Sequence, residues 1–171
     1  MNRFVKVGSL FVVALSAIAQ SQMGDSPMKT DAAYLQIKKM IGGTWHTKAG
    51  KMDVISHWNA GPDGTSLVAE TIVDPHGKSP AHLNARFGWD AATSQVYYLD
   101  AHGLDTIYFG HVSIDDKGLA MKFKGIVGDP NEYVFRLKFS GDDAFHATLY
   151  QHQEGKEDTV VENFDWSRTK G

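Results

Sequence analysis

The sequence predicts an all-β protein: a single antiparallel, up-and-down β-barrel of about ten strands with a short N-terminal helix. Three observations lead there. After Gly42-Gly43 the apolar pattern changes from a helical period to a period of two and keeps it to the end. Turn-forming residues punctuate that pattern at spacings of roughly 8–12 residues, the spacing of an all-β sandwich or barrel. The connections are short enough for hairpins, and a ten-strand meander leaves two open edges unless it curls and closes. A two-sheet sandwich with Greek-key crossovers is the structural alternative.

The elements follow in chain order. Arg3 and Lys6 precede an apolar run from Val7 to Ala19 that ends in Ala17-Ile18-Ala19. This is the layout of a signal peptide, and the run is shorter than the roughly 18–20 residues that span a bilayer. Residues 1–19 are therefore expected to be removed on export to the periplasm or beyond. The absence of cysteine closes the bacterial lipoprotein route. Residues 20–30 are polar, with Gly24 and Pro27, and read as a flexible leader; 31–171 read as the barrel domain. Asp31 is placed to cap a helix running to about Met40, with Tyr34, Leu35, Ile37, Lys38 and Ile41 near helical spacing.

Strands are expected over 44–50, 52–60, 66–74, 81–89, 95–101 and 104–114. Four more show cleaner alternation. Leu119, Met121 and Phe123 alternate with Ala120, Lys122 and Lys124; Tyr133, Phe135, Leu137 and Phe139 with Val134, Arg136 and Lys138. Phe145, Ala147 and Leu149 alternate with His146, Thr148 and Tyr150; Val160, Phe164 and Trp166 with Val161, Asn163 and Asp165. Between them, segments such as Gly61-Pro62-Asp63-Gly64 and Gly128-Asp129-Pro130 turn the chain. Glycine takes positive φ there, proline presets φ, and Asp bonds its own backbone.

Composition excludes several partners. Cleavage after Ala19 would leave 152 of the 171 residues, a one-domain length, and the chain has no cysteine. Such an exported domain is held by its hydrophobic core and not by disulfides. Removing Arg3 and Lys6 from the 17 basic residues leaves 15 against 20 acidic ones, a net charge of −5. No basic stripe offers itself to nucleic acid, and an acidic surface is a poor match for anionic membranes. No stable membrane insertion is expected after cleavage, and the sequence leaves the oligomeric state open.

Gly43-Thr44-Trp45, opening the first strand after a short helix, resembles the Gly-x-Trp signature of lipocalins and other calycins. The resemblance implies a tryptophan that closes one barrel end and packs on a basic residue near the last strand; Arg168 stands at that position. Phe87-Gly88-Trp89-Asp90, followed by Val96-Tyr97-Tyr98-Leu99-Asp100 and Gly110, resembles a bacterial calycin-like family of unknown function. That likeness spans roughly residues 35–168. Its motifs are structural, so it carries over no catalytic residue.

Motifs that would announce chemistry are missing. There is no Gly-x-Ser-x-Gly elbow, no phosphate-cradling glycine loop and no cysteine nucleophile. Eight histidines are present without His-x-His or His-Glu-x-x-His spacing, so metal ligation is not expected and most read as solvated imidazoles. Haem would need an inward histidine, and His111 is the best-placed candidate, on a strand apolar on both faces.

Glu162 breaks its pattern, sharing a strand face with Val160, Phe164 and Trp166. If that face is interior, it is a carboxylate in an apolar barrel, answered by Arg86, Arg136, Tyr98 or Tyr108. The plainer reading is a rim carboxylate or a structural ion pair. Glu70 poses the same question on a strand apolar on both faces. Turned inward, Trp58, Phe87, Tyr98, Phe123, Phe135, Phe145 and Phe164 would line the barrel, either as a filled core or around a cavity.

The candidate cavity residues are thus Trp58, Glu70, Arg86, Tyr98, Tyr108, Phe135 and Glu162. The leading expectation is an exported binding protein for a small apolar or amphipathic molecule, with no obligatory cofactor. The alternatives are an isomerase, cyclase or hydratase using a buried carboxylate, and an envelope or interaction protein. The last would present the loops Asp74–Pro80 and Asp100–Asp105 on a filled barrel. The interior volume discriminates among the three.

Overall fold

The computed structural model describes residues 27–103 and 105–170. The signal peptide and most of the leader expected from the sequence lie outside the described residues. The described end of that leader, Pro27–Thr30, is a 3-10 turn whose Met28 is buried. Helix α1 spans Ala32–Lys38, and the Asp31 carboxylate caps it by accepting from the Tyr34 backbone N–H at 2.9 Å. The helix stops short of Met40, and the chain continues through single turns to Ile41.

Ten strands follow: β1 (Thr44–Ala49), β2 (Met52–Ala60), β3 (Leu67–Val73), β4 (Ala81–Asp90) and β5 (Gln95–His102). The second half is β6 (Thr106–Asp115), β7 (Gly118–Val127), β8 (Glu132–Phe139), β9 (Ala144–His152) and β10 (Thr159–Thr169). Each pairs antiparallel with its neighbours in sequence, and β1 pairs with β10 to close the barrel. Closure leaves no free outer strand, which is the economical outcome for a meander of this length. The seam is short. The β1–β10 register runs only from Thr44↔Thr169 to His46↔Ser167, whereas β10 pairs with β9 from Thr159 to Ser167.

The two ends of the barrel differ. At one end, Met28, Tyr34, Ile37 and Met40 from the N-terminal segment pack on Trp45, Leu67, Phe87, Val96, Val112 and Phe145. This end is closed by apolar side chains. Trp45 is fully buried, its indole Nε1 donates to the Met40 carbonyl at 2.8 Å, and the Arg168 guanidinium lies 4.8 Å from its ring centroid. Arg168 and Trp45 are cross-strand partners in the seam. The guanidinium also donates to the Lys39 and Ile41 carbonyls, each at 3.1 Å, and to Asp143 Oδ1 at 2.9 Å. One cation thus joins the post-helix turn, the β8–β9 turn and the barrel seam. Gly43 makes the close approach possible: its φ is +69°, and a Cβ there would fall 2.7 Å from the Thr169 carbonyl oxygen.

At the opposite end, the hairpins β1–β2, β3–β4, β5–β6, β7–β8 and β9–β10 form a mouth. Five large apolar residues, Met52, Ile126, Val127, Val160 and Val161, stay exposed in the mouth-end segments of their strands.

Candidate functional site

Between the closed end and the mouth lies a cavity of about 330 Å³, at the small end of the range that holds small-molecule ligands. The interior is not filled. All seven aromatic residues that strand periodicity turned inward border this space: Trp58, Phe87, Tyr98, Phe123, Phe135, Phe145 and Phe164. Four of these rings form a continuous chain, with centroids 5.2 Å apart from Trp58 to Phe87, 5.3 Å from Phe87 to Tyr98, and 5.1 Å from Tyr98 to Phe123. Gly110 sits between Tyr98 and Phe123 in the register. A Cβ on it would lie 1.9 Å from the Lys122 carbonyl oxygen, so the strands approach there only because position 110 has no side chain.

Of the expected cavity residues, Trp58, Tyr98, Tyr108 and Phe135 line the space. Glu70, Arg86 and Glu162 do not. Glu70 is on the outer face, exposed, 3.5 Å from His82 Nδ1. Arg86 is half-exposed and ion-paired to Asp63 at 3.3 Å. Glu162 pairs with Leu149 beside a bulge, where Val161 instead borders the cavity. The half-buried Glu162 has no hydrogen-bond or ion-pair partner among the described residues. The groups expected to answer it are engaged elsewhere. Arg136 forks onto Asp115 through Nη1, 2.9 Å from each oxygen; Tyr98 donates to Asp100, and Tyr108 to Asp129. Glu162 keeps the phase of Phe164 and Trp166, but it stands at the mouth end of β10, where the bulge adds Val161 and that extra residue borders the cavity.

The interior carboxylate is Asp100. It is buried on β5, in phase with Tyr98 and His102, with all three bordering the cavity. Tyr98 Oη donates to Asp100 Oδ2 at 2.6 Å, and His102 Nε2 lies 2.9 Å from the same oxygen. An ionised carboxylate only accepts, so the His102 tautomer that fits carries its proton on Nε2. Asp100 Oδ1, by contrast, has no partner. Trp166 Nε1 is the other such atom: these are the two buried side-chain polar atoms without a hydrogen bond among the described residues, and both residues line the cavity. Elsewhere the lining is satisfied, as in the Ser56–Thr71 hydroxyl pair at 2.8 Å.

Burial raises the Tyr98 hydroxyl well above the usual phenol range, and the adjacent Asp100 charge and hydrogen bond add to the effect. Tyr98 is therefore a fixed donor at neutral pH. Nearer the mouth, Tyr108 and Tyr133 both donate to Asp129 Oδ2, at 2.9 and 2.8 Å. Burial is again the leading cause that raises both phenols, followed by the bond to Asp129.

His111, the residue expected to suit haem, is outside the barrel. It lies in phase with Phe109 on the outer face and 3.0 Å from Asp90 Oδ2. The histidine that reaches the cavity is His102, with its Nε2 already engaged. Among the described residues, no three His, Asp or Glu side chains are grouped to hold a metal ion.

Asp100 is absent from the expected cavity residues although the strand expected over 95–101 holds it, because it also opens the loop expected over Asp100–Asp105. The signal was present: Val96, Tyr98, Asp100 and His102 share one phase, and Val96 and Tyr98 are apolar enough to fix that phase as interior. Comparison of the chain with protein families, with curated proteins and with solved structures found no match.

Proposed function

We propose that this chain is an exported binding protein that holds a small, mainly apolar molecule inside its barrel, in the manner of calycins. The observation that carries the proposal is the cavity of about 330 Å³ lined by aromatic rings, one end closed and the other opening at an apolar-rimmed mouth. A concave, mostly apolar chamber with few polar groups is the general form of a small-molecule site. The Trp45–Arg168 stack supports the kinship with calycins, since the Gly-x-Trp resemblance implies that contact. Export rests on the charged-apolar leader ending in Ala17-Ile18-Ala19.

The test uses the cavity's own volume. Ala85 borders the space, and Ala85→Phe should occupy it. Small aromatic compounds are expected to raise the melting temperature and to quench the fluorescence of Trp58 and Trp166, which both line the cavity. The Ala85→Phe variant should fold and show neither response. A wild-type protein indifferent to a broad panel of small apolar compounds would sink the reading. N-terminal sequencing of the protein secreted by a bacterial host checks export, with Gln20 expected as the first residue.

A second reading, a proton-transfer enzyme, is favoured by one observation: a buried carboxylate borders the apolar chamber, Asp100, and one of its oxygens lacks a hydrogen bond. Turnover of a carbon acid that disappears in Asp100→Asn would support it.

A further inference from the structure

We propose that the molecule held in the barrel is a cation, a small aromatic or alicyclic amine whose ammonium group rests on Asp100 Oδ1 among the rings of Tyr98, Tyr108, Phe123 and Tyr133. This rests on the binding-protein reading and names its ligand class.

Four observations carry it. First, Asp100 is buried and its two oxygens are unequal: Oδ2 takes both protein donors while Oδ1 takes none. A buried carboxylate oxygen without a donor is unfavourable, and folded chains rarely leave one unless something else occupies it. Second, no lysine or arginine borders the cavity, so the lining offers Asp100 no permanent cation; the one basic group is His102, already on Oδ2.

Third, aromatic faces crowd the same place. Asp100 is the cross-strand partner of Tyr108. Phe123 lies 5.1 Å from Tyr98, 5.5 Å from Tyr108 and 5.7 Å from Tyr133, centroid to centroid. A carboxylate within a cluster of aromatic faces is a chemical environment that favours an ammonium over an equally sized neutral group. An alcohol could satisfy the hydrogen bond of Oδ1 but would leave its charge unanswered. A carboxylate ligand would be repelled. Fourth, Trp166 Nε1 is an unpartnered donor near the closed end, where Trp166 pairs with Phe145. The ligand therefore has polarity in a fixed sense, with the amine towards the mouth and a hydrogen-bond acceptor towards the floor.

The experiment compares three probes of one shape, 2-(4-methoxyphenyl)ethylamine, the matching alcohol and 4-methoxyphenylacetate, by titration calorimetry on the mature protein. The amine is expected to bind at least about tenfold more tightly than the alcohol, and the carboxylate at least about tenfold more weakly than the alcohol. In Asp100→Asn the amine should lose that advantage while the alcohol keeps its affinity. Equal binding of amine and alcohol to the wild type overturns the inference and leaves the cavity reading standing. Binding of none of the three overturns the inference; the cavity reading then falls only if the broad panel of apolar compounds also fails. Should Asp100→Asn not fold, Phe123→Leu serves: it should weaken the amine several-fold and the alcohol little, and equal weakening overturns the proposal.

Discussion

The closed-end turns and the cavity wall of this barrel are built from the same strands, yet they treat polar groups in opposite ways. In the turns of the closed end the polar groups are matched. Trp45 Nε1 has Met40, Arg168 has two carbonyls and Asp143, and each of the four turns there carries an aspartate tied to its own surroundings. Asp63 accepts from Thr65 and Ser66, Asp90 from Ala92 and Thr93, Asp115 from Lys117 and Arg136, and Asp143 from Arg168 and Lys170. Towards the cavity, Asp100 and Trp166 each keep a buried polar atom without a partner. The contrast teaches where to look for function: a fold that satisfies the polar groups of its turns so fully has a reason to leave two open on the cavity wall.

The largest expected effect breaks the closed end. Trp45→Ala removes a fully buried ring from contact with Phe145 and Arg168 and should cost about 3–5 kcal/mol, read as a lower urea midpoint. A loss no larger than that of a surface substitution would show that the stack is dispensable and that the two ends do not differ as described.

Acid should act next, and at the same end. Hydrogen bonds hold these four aspartates below the ordinary 3.8, led by backbone N–H donors at Asp63 and Asp115, by His111 at Asp90 and by Lys170 at Asp143; Asp90 falls to about 2. Their folded-state values are depressed, so the stability they give is fully present above about pH 4. It is lost as pH falls through the range from 3.8 towards 2, where the unfolded chain takes up protons that the native chain does not. Asp129 at the mouth shows the same depression from the Asn131 N–H and its two tyrosines. Amide exchange at pH 2.5 should therefore show protection falling at Ala92 and Lys117 before the central strands of the barrel. Uniform loss across all strands would contradict the picture.

The smallest effect sharpens the other side. Asp100→Asn removes a charge from the interior while keeping its shape, so stability should change by no more than about 1 kcal/mol. Destabilisation as large as that of Trp45→Ala would make Asp100 a structural residue like those of the closed end.

Much of this was legible in the chain. Period two between turn formers gave ten strands, and β2 begins and ends where its pattern does, at 52 and 60. The inward aromatic set was readable because alternation assigns faces without knowledge of the partner strand. The mouth end of β10 shows the limit: a bulge shifts the register between Val160 and Glu162 and brings Val161 to the cavity, and nothing in the local sequence announces it. Arg86 and Arg136 were readable as cations, but their choice of Asp63 and Asp115 depends on turns 23 and 21 residues away.

The sequence by itself determined the ten strands, the cap at Asp31, the glycine before Trp45 and which rings face inward, because these follow from local dihedral preference and side-chain alternation. Only the tertiary structure decided that the interior is hollow, that Asp100 and not Glu162 is its carboxylate, and that one oxygen of Asp100 stands without a donor. Volume and hydrogen-bond satisfaction are sums over many strands at once, and no single segment carries them.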